Sequence, residues 1–203
     1  MRVINGTVST DEIKRMKVWP VPESFSKEIP KKGTNGSFWE DRGDRRHCGV
    51  DIYAPIGAQV VAVESGMVVD KGVFTSPEQF SNWKTTNFVI IKTPQKVIVK
   101  YAELGETFVN IGDYVSENQL LGFVGSVVDK TEITYSDPFY VQELADNDTI
   151  SMLHIECYKA PVTQVQPYLA GNYFGERRPI SLLDPGLYLR GVAKIAPAKS
   201  EMG

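Results

Sequence analysis

The chain of 203 residues is 42% hydrophobic and 23% charged, with a net charge of −3. That is enough apolar material for a packed core, which excludes disorder over most of the length. The slight acidity gives no electrostatic basis for holding nucleic acid or an anionic membrane, and no apolar run approaches the ~18 residues needed to cross a bilayer.

Residues 1–35 are polar and irregular, with Pro20, Pro22 and Pro30 and the turn pair Asn35-Gly36. Within them IKRMKVWPVP reads as a short helix followed by an extended arm. MRVINGTVSTDEIKRM lacks the apolar stretch of a secretory leader. That is expected of a cytoplasmic chain, or of an extracellular or envelope protein whose leader has been removed.

From residue 47 the texture changes. Short β-branched runs alternate with glycine turns: GVDIYA, AQVVAVE, GMVVDKGV, NFVIIKT, KVIVKYAE, TFVNIGDYV, QLLGFVG and MLHIECY. Strand after strand with little helix between them predicts an all-β sandwich or barrel. A faint repeat runs through them. Gly57-Ala58-Gln59-Val60 leads to Gly66-Met67-Val68, and Gly112-Asp113-Tyr114-Val115 leads to Gly122-Phe123-Val124. Two copies are too few for a solenoid and fit two halves of one compact β-fold. Two long polar segments, 74–86 and 127–151, interrupt the strands and are expected either as walls of a site or as plain surface loops. Past residue 160 the chain gains Pro and Gly and ends in a soft tail, IAPAKSEMG. The expected organisation is an arm (1–35), a main domain (36–170) and a C-terminal extension (171–203).

The chain has two histidines, each near a carboxylate. In RHCGVDIYAP read as one strand, His47, Gly49 and Asp51 share a face, and the glycine permits a bend that brings His47 and Asp51 together. In MLHIECY, Met152, His154 and Glu156 share one face while Leu153, Ile155 and Cys157 turn to the core. Two imidazoles and a carboxylate on one surface make a zinc site of the type that leaves a position open for water. The bland alternative is two histidines hydrogen-bonded separately in their own strands. Glu156 is then either a partner behind a metal ligand or a charge on the strand face. Cys48 and Cys157 face away from the ligands and read as buried thiols or as a pair close enough to bridge. The charged cluster WEDRGDRR reads as a solvated loop, or as the source of an arginine for a substrate carboxylate.

HCGVD with the following APIGAQVVAVESGMVV resembles the His-x-Gly-x-Asp signature of the lysostaphin and LytM family of zinc peptidases. The resemblance continues through VKYAEL, GDYVSENQLLGFVGS and MLHIE, in the family's order, and is flanked by WPVP and LLDPGLYL. It covers about residues 36–190. It implies the duplicated hybrid motif as fold, zinc held by His47, Asp51 and His154, and metal-activated hydrolysis of peptides, either cell-wall crosslinks or Gly-rich sequences. Two family histidines have no counterpart. Tyr101-Ala102-Glu103-Leu104 carries Glu103 where the family has histidine, and Met152 stands at the first place of His-x-His. Methionine neither takes a proton nor donates a hydrogen bond. Glu103 is left as a replacement base, as a fourth ligand closing the site, or as a strand-end charge. The hydroxyls of Tyr101 and Tyr135 are candidates for binding substrate at its oxyanion. The resemblance therefore implies a zinc metalloendopeptidase or, given the two replacements, a silent binding or scaffolding module with or without zinc. In a third reading the histidines face one another for phosphoryl relay, as in sugar-phosphotransferase carriers, but Asp51 favours metal.

Overall fold

The computed structural model describes residues 17–194, apart from 80, 148, 163 and 193. The predicted helix in IKRMKVWPVP and the tail from 195 fall wholly or partly outside these residues. The architecture is all-β, as the strand spacing predicts. Twelve strands are described: β1 (Arg46–His47), β2 (Val50–Tyr53), β3 (Gln59–Val61), β4 (Gly66–Thr75), β5 (Thr86–Lys92), β6 (Val97–Thr107), β7 (Tyr114–Val115), β8 (Leu120–Val124), β9 (Met152–Lys159), β10 (Tyr168–Leu169), β11 (Asn172–Tyr173) and β12 (Leu182–Leu183). Two short helices join them, α1 (Phe139–Asp146) and α2 (Pro185–Tyr188).

The main sheet runs β12-β9-β6-β5-β4-β7, with β2 on β9, and with β8 joining β6 to β3. Its pairings are antiparallel, and among the described residues none closes it into a barrel. β5 (TNFVIIK) and β6 (VIVKYAELGET) hold continuous apolar runs because other elements cover both of their faces. On β9 the alternation holds: Leu153, Ile155 and Cys157 enter the main core with Val50, Val99 and Tyr101. The repeat has a structural meaning. Val60 lies opposite Gly122, and Gly66 lies opposite Val115, so each copy's glycine pairs with the other copy's valine. A side chain at Gly122 would place its first carbon 2.1 Å from the Glu106 carbonyl.

Two sequence expectations change. RHCGVDIYAP is two strands in two sheets: β1 joins β11 in a small sheet with β10, and β2 joins β9. TFVNIGDYV likewise divides, Thr107 closing β6 and β7 beginning at Tyr114, because Gly112 turns the chain with φ +94°. The segments flanking 36–170 are built into the fold. Trp19 and Val21 are fully buried in the main core, the Val18 N–H donates to the Val63 carbonyl, and Leu189 and β12 pack from the other end.

The two long segments meet. A bridge joins Trp83 to Val128, and Trp83, Val127, Val128, Val141 of α1 and Met152 form one apolar cluster. They wall one end of β9, at the residue beside His154.

Trp19→Ala tests whether the leading segment belongs to the core. It should cost about 3–5 kcal/mol in urea unfolding, the usual range for truncating a buried aromatic. A loss below about 1 kcal/mol would show that Trp19 only lies against the sheet.

Candidate metal centre

The chain leaves the small sheet after His47 and enters the main sheet at Val50, and Cys48-Gly49 is the crossing. Here glycine is demanded by space. A first side-chain carbon at Gly49 would lie 2.6 Å from His154 Cε1 and from the Ile155 carbonyl. One at Gly171, which also has φ +78°, would lie 2.8 Å from the same ring carbon. The two backbones close on His154, while register places Asp51 directly opposite it. Phe74 stacks on its ring at 5.5 Å between centroids.

Three donor atoms converge. His47 Nε2 is 3.0 Å from His154 Nδ1 and 3.2 Å from Asp51 Oδ1, and His154 Nδ1 is 2.8 Å from Asp51 Oδ1. A tetrahedral zinc site with bonds of about 2.0–2.1 Å has edges of about 3.3 Å, so the triangle fits with a slight expansion. The far side of each ring fixes its orientation. His47 Nδ1 lies 2.9 Å from the Ser37 carbonyl, which only accepts, so that nitrogen carries hydrogen and Nε2 offers its lone pair to the centre. His154 Nε2 lies 2.9 Å from the Glu156 carboxylate, which leaves Nδ1 for the centre. Such outer partners are what metal-ligating histidines require. The donor set suits zinc, and none of the three residues is more than 4% exposed.

Without a cation the cluster holds a proton instead. Burial by itself disfavours a charged His154, but hydrogen bonds to Asp51 and Glu156 overcome this and lift its pKa to about 9. Burial, then the charge of Arg42, depresses His47 to about 4. Burial would raise Asp51, yet the adjacent imidazoles hold it well below the usual carboxylate range.

Arg42 crosses the mouth. Its Nη2 lies 3.3 Å from Asp51 Oδ2 and 3.2 Å from Glu40 Oε2, its Nη1 donates to Asn172 Oδ1, and its guanidinium covers the Tyr140 ring. The charged loop is thus partly buried in the site rather than solvated throughout. The remaining cavity, about 40 Å³, is lined by Glu103, Thr75, Met152, His154 and Asp51, with residues of α1. It has room for a water molecule or two.

Glu103 lines this cavity, outside the converging donor triangle. Its Oε2 accepts from Thr86 Oγ1 at 2.7 Å, and burial raises its pKa to about 7. Its backbone adopts φ +63° in mid-strand, where the register of β6 shifts against β5. That is a costly conformation for a residue that carries a Cβ, and such strain collects at functional sites. Neither tyrosine lines this cavity. Tyr101 points to the main core, 1% exposed, and its hydroxyl accepts from the Val63 N–H. Tyr135 is fully exposed and does not line the cavity. Cys48 and Cys157 are free, buried in different clusters. Sequence reasoning missed Asn172 and Tyr168, which carry no local signal, and Lys100, whose signal was a lone charge inside the apolar run VIVKYA.

The model of peptidase family M23 matches residues 45–160, more than half of the chain. Among curated proteins none matches. Solved structures with similar folds include the catalytic domain of the antimicrobial peptidase lysostaphin from Staphylococcus simulans, at 20% identity and TM-score 0.43, over 86% of this chain and 92% of that one. They include a putative glycyl-glycine endopeptidase lytM from Ruminococcus gnavus, at 22% and 0.43, over 74% of this chain and 55% of that one. Csd3 of Helicobacter pylori aligns at 19% and 0.42 over 71% of this chain, which spans only 30% of the Csd3 chain.

The raised pKa of His154 sets a pH dependence. Its ordinary value is 6.5 and its folded value about 9. The stabilisation is complete below pH 6.5 and is lost as pH rises through 9. Melting in chelator should therefore fall from pH 6.5 to 9, and zinc uptake at pH 7 should release a proton, detectable by calorimetry in buffers of different ionisation heat. A flat melting profile over that window would show that the two carboxylates do not hold His154 charged.

Proposed function

The chain belongs to peptidase family M23, and from that footing we propose that it is a zinc-dependent hydrolase of peptide bonds, acting on cell-wall peptide crosslinks or Gly-rich peptides. The observation that carries this is the convergence of His47, Asp51 and His154, with a strained, buried carboxylate on the cavity that Asp51 and His154 line. Zinc held there would supply Lewis acidity and activate water at neutral pH.

Glu103 is the base of this reading. A carboxyl lifted to about 7 exchanges its proton near neutral pH, and Thr86 holds its Oε2. It occupies the place where the resembling family carries a histidine. Arg42 lines the cavity, held there by Asp51 and Glu40. Met152 supplies neither donor nor base. Asp51, His47 and His154 hold the metal, and Ser37 and Glu156 hold the rings. A peptide does not fit in about 40 Å³, so in this reading Arg42 and α1 must move aside for substrate to enter.

A second reading has its own observation. Met152 completes an apolar cluster with Trp83, Val127, Val128 and Val141, which seats α1 over the centre. A site closed on that footing would serve as a metal-braced binding module without turnover.

Elemental analysis of the native protein and of His154→Ala, beside cleavage assays on peptidoglycan and oligoglycine, separates the readings. The expected result is one zinc per chain lost in His154→Ala, with native hydrolysis reduced about 10²- to 10⁴-fold in Glu103→Gln. Native protein that holds zinc, cleaves neither substrate and gains cleavage in Glu103→His/Met152→His would establish the second reading. Native protein that takes up no zinc when it is offered would remove the metal from both.

A further inference from the structure

Behind His154, away from the cavity, lies a largely buried polar cluster. Glu156 is 0% exposed and Lys100 2% exposed, and they are register partners on β9 and β6. Glu156 Oε1 accepts from His154 Nε2 at 2.9 Å and from the Tyr168 hydroxyl at 2.5 Å. Its Oε2 accepts from Lys100 Nζ at 2.9 Å and from the Tyr158 hydroxyl. Lys100 also donates to the Tyr168 hydroxyl at 2.9 Å, which closes a ring of hydrogen bonds. The ammonium is boxed by the aromatic faces of Tyr168, Tyr158, Phe74 and Phe88, at 4.4 to 5.9 Å from their centroids.

Fold stability does not account for this arrangement. Two charges taken out of water are expensive, and well-packed apolar residues in place of a buried ion pair are often as stable or more so. What the cluster provides is aim. Each carboxylate oxygen already has two donors, so Glu156 cannot turn away, and a carboxylate only accepts. The imidazole nitrogen facing it must carry hydrogen, which leaves the other nitrogen toward Asp51 and His47.

We propose that Glu156 is a positioning residue of the metal centre: clamped by Lys100, Tyr158 and Tyr168, it holds His154 in the orientation and tautomer that present Nδ1 to the cation. The proposal rests on the metal reading given above and extends it to residues that touch neither metal nor substrate. It also gives Tyr168, on the small sheet, a part in metal affinity from the far side of the ring.

The test uses zinc affinity, by competition with a chromophoric chelator, and the ring N–H resonances of the metal-free protein in ¹⁵N-edited spectra. Native protein should show a downfield His154 Nε2–H protected from water. Glu156→Gln should weaken zinc about tenfold. Lys100→Met/Glu156→Leu replaces the ion pair with apolar side chains and guards against misfolding. It should keep the native circular dichroism, lose the resonance to solvent exchange and weaken zinc by about 10- to 100-fold. Tyr168→Phe should have a smaller effect in the same direction. Zinc binding within twofold of native in both Glu156 variants, with the resonance retained, would overturn the proposal and leave Glu156 as the partner of Lys100 alone. If native protein binds no zinc, the metal reading fails separately. The resonance then decides the orientation: loss in the double variant supports the clamp, and absence from native protein overturns it.

Discussion

Taking a carboxylate out of water demands that something meet its charge, and that demand shapes this molecule. Asp51, Glu103 and Glu156 are all buried around one histidine. Each is answered differently. Asp51 is answered by two imidazoles and an arginine, Glu156 by a lysine and two phenols, and Glu103 by a threonine hydroxyl and a shift toward its neutral form. The different answers give the three carboxylates different chemistry. In the proposed function the first is a metal ligand, the second a clamp, and the third a group able to exchange a proton. Their positions follow from backbone register, which sets Asp51 opposite His154 and Lys100 opposite Glu156.

The apolar side of the site is a matching construction. Met152, two residues before His154 on β9, adds an apolar contact to the cluster under α1. Both long segments contribute to that cluster, Trp83 from one and Val127, Val128 and Val141 from the other. Met152 and the two segments are therefore one feature. An apolar side chain at Met152 is the condition for the seat on which α1 rests. Cover strength and chemistry at the centre are linked through this side chain, since a histidine there would leave a polar ring among valines.

Much of this was legible in the chain. Alternation along MLHIECY separates core from site without error, because β9 is regular and has one packed apolar face. The convergence of His47, Asp51 and His154 could be read because His-x-Gly-x-Asp records a steric fact, that Gly49 clears room for the His154 ring. Alternation misleads where the strand is irregular. Tyr101 faces the core and Glu103 the site, two residues apart, because the backbone flips at Glu103 to φ +63°. Arg42 and Lys100 illustrate a different limit. A sequence shows that a charge is present and not that a fold has closed over it, so the loop seemed solvated and the strand lysine unremarkable. Tyr168 and Asn172 come from a small sheet formed by pairing with β1, over a hundred residues away, and no local pattern announces such an arrival.

The crossed pairing of the two glycine–valine copies bears on how the chain is assembled. β3 finds its partner in β8, and the start of β4 finds its partner in β7. Neither half can satisfy its own edge: β5 covers one side of β4, but β3 and the other side of β4 have no partner until the second copy has been synthesised. The molecule is in effect exchanged with itself, like an intertwined dimer written into a single polypeptide. A nick in the stretch between the copies would leave two pieces whose bare edges are complementary, and each would be the other's template.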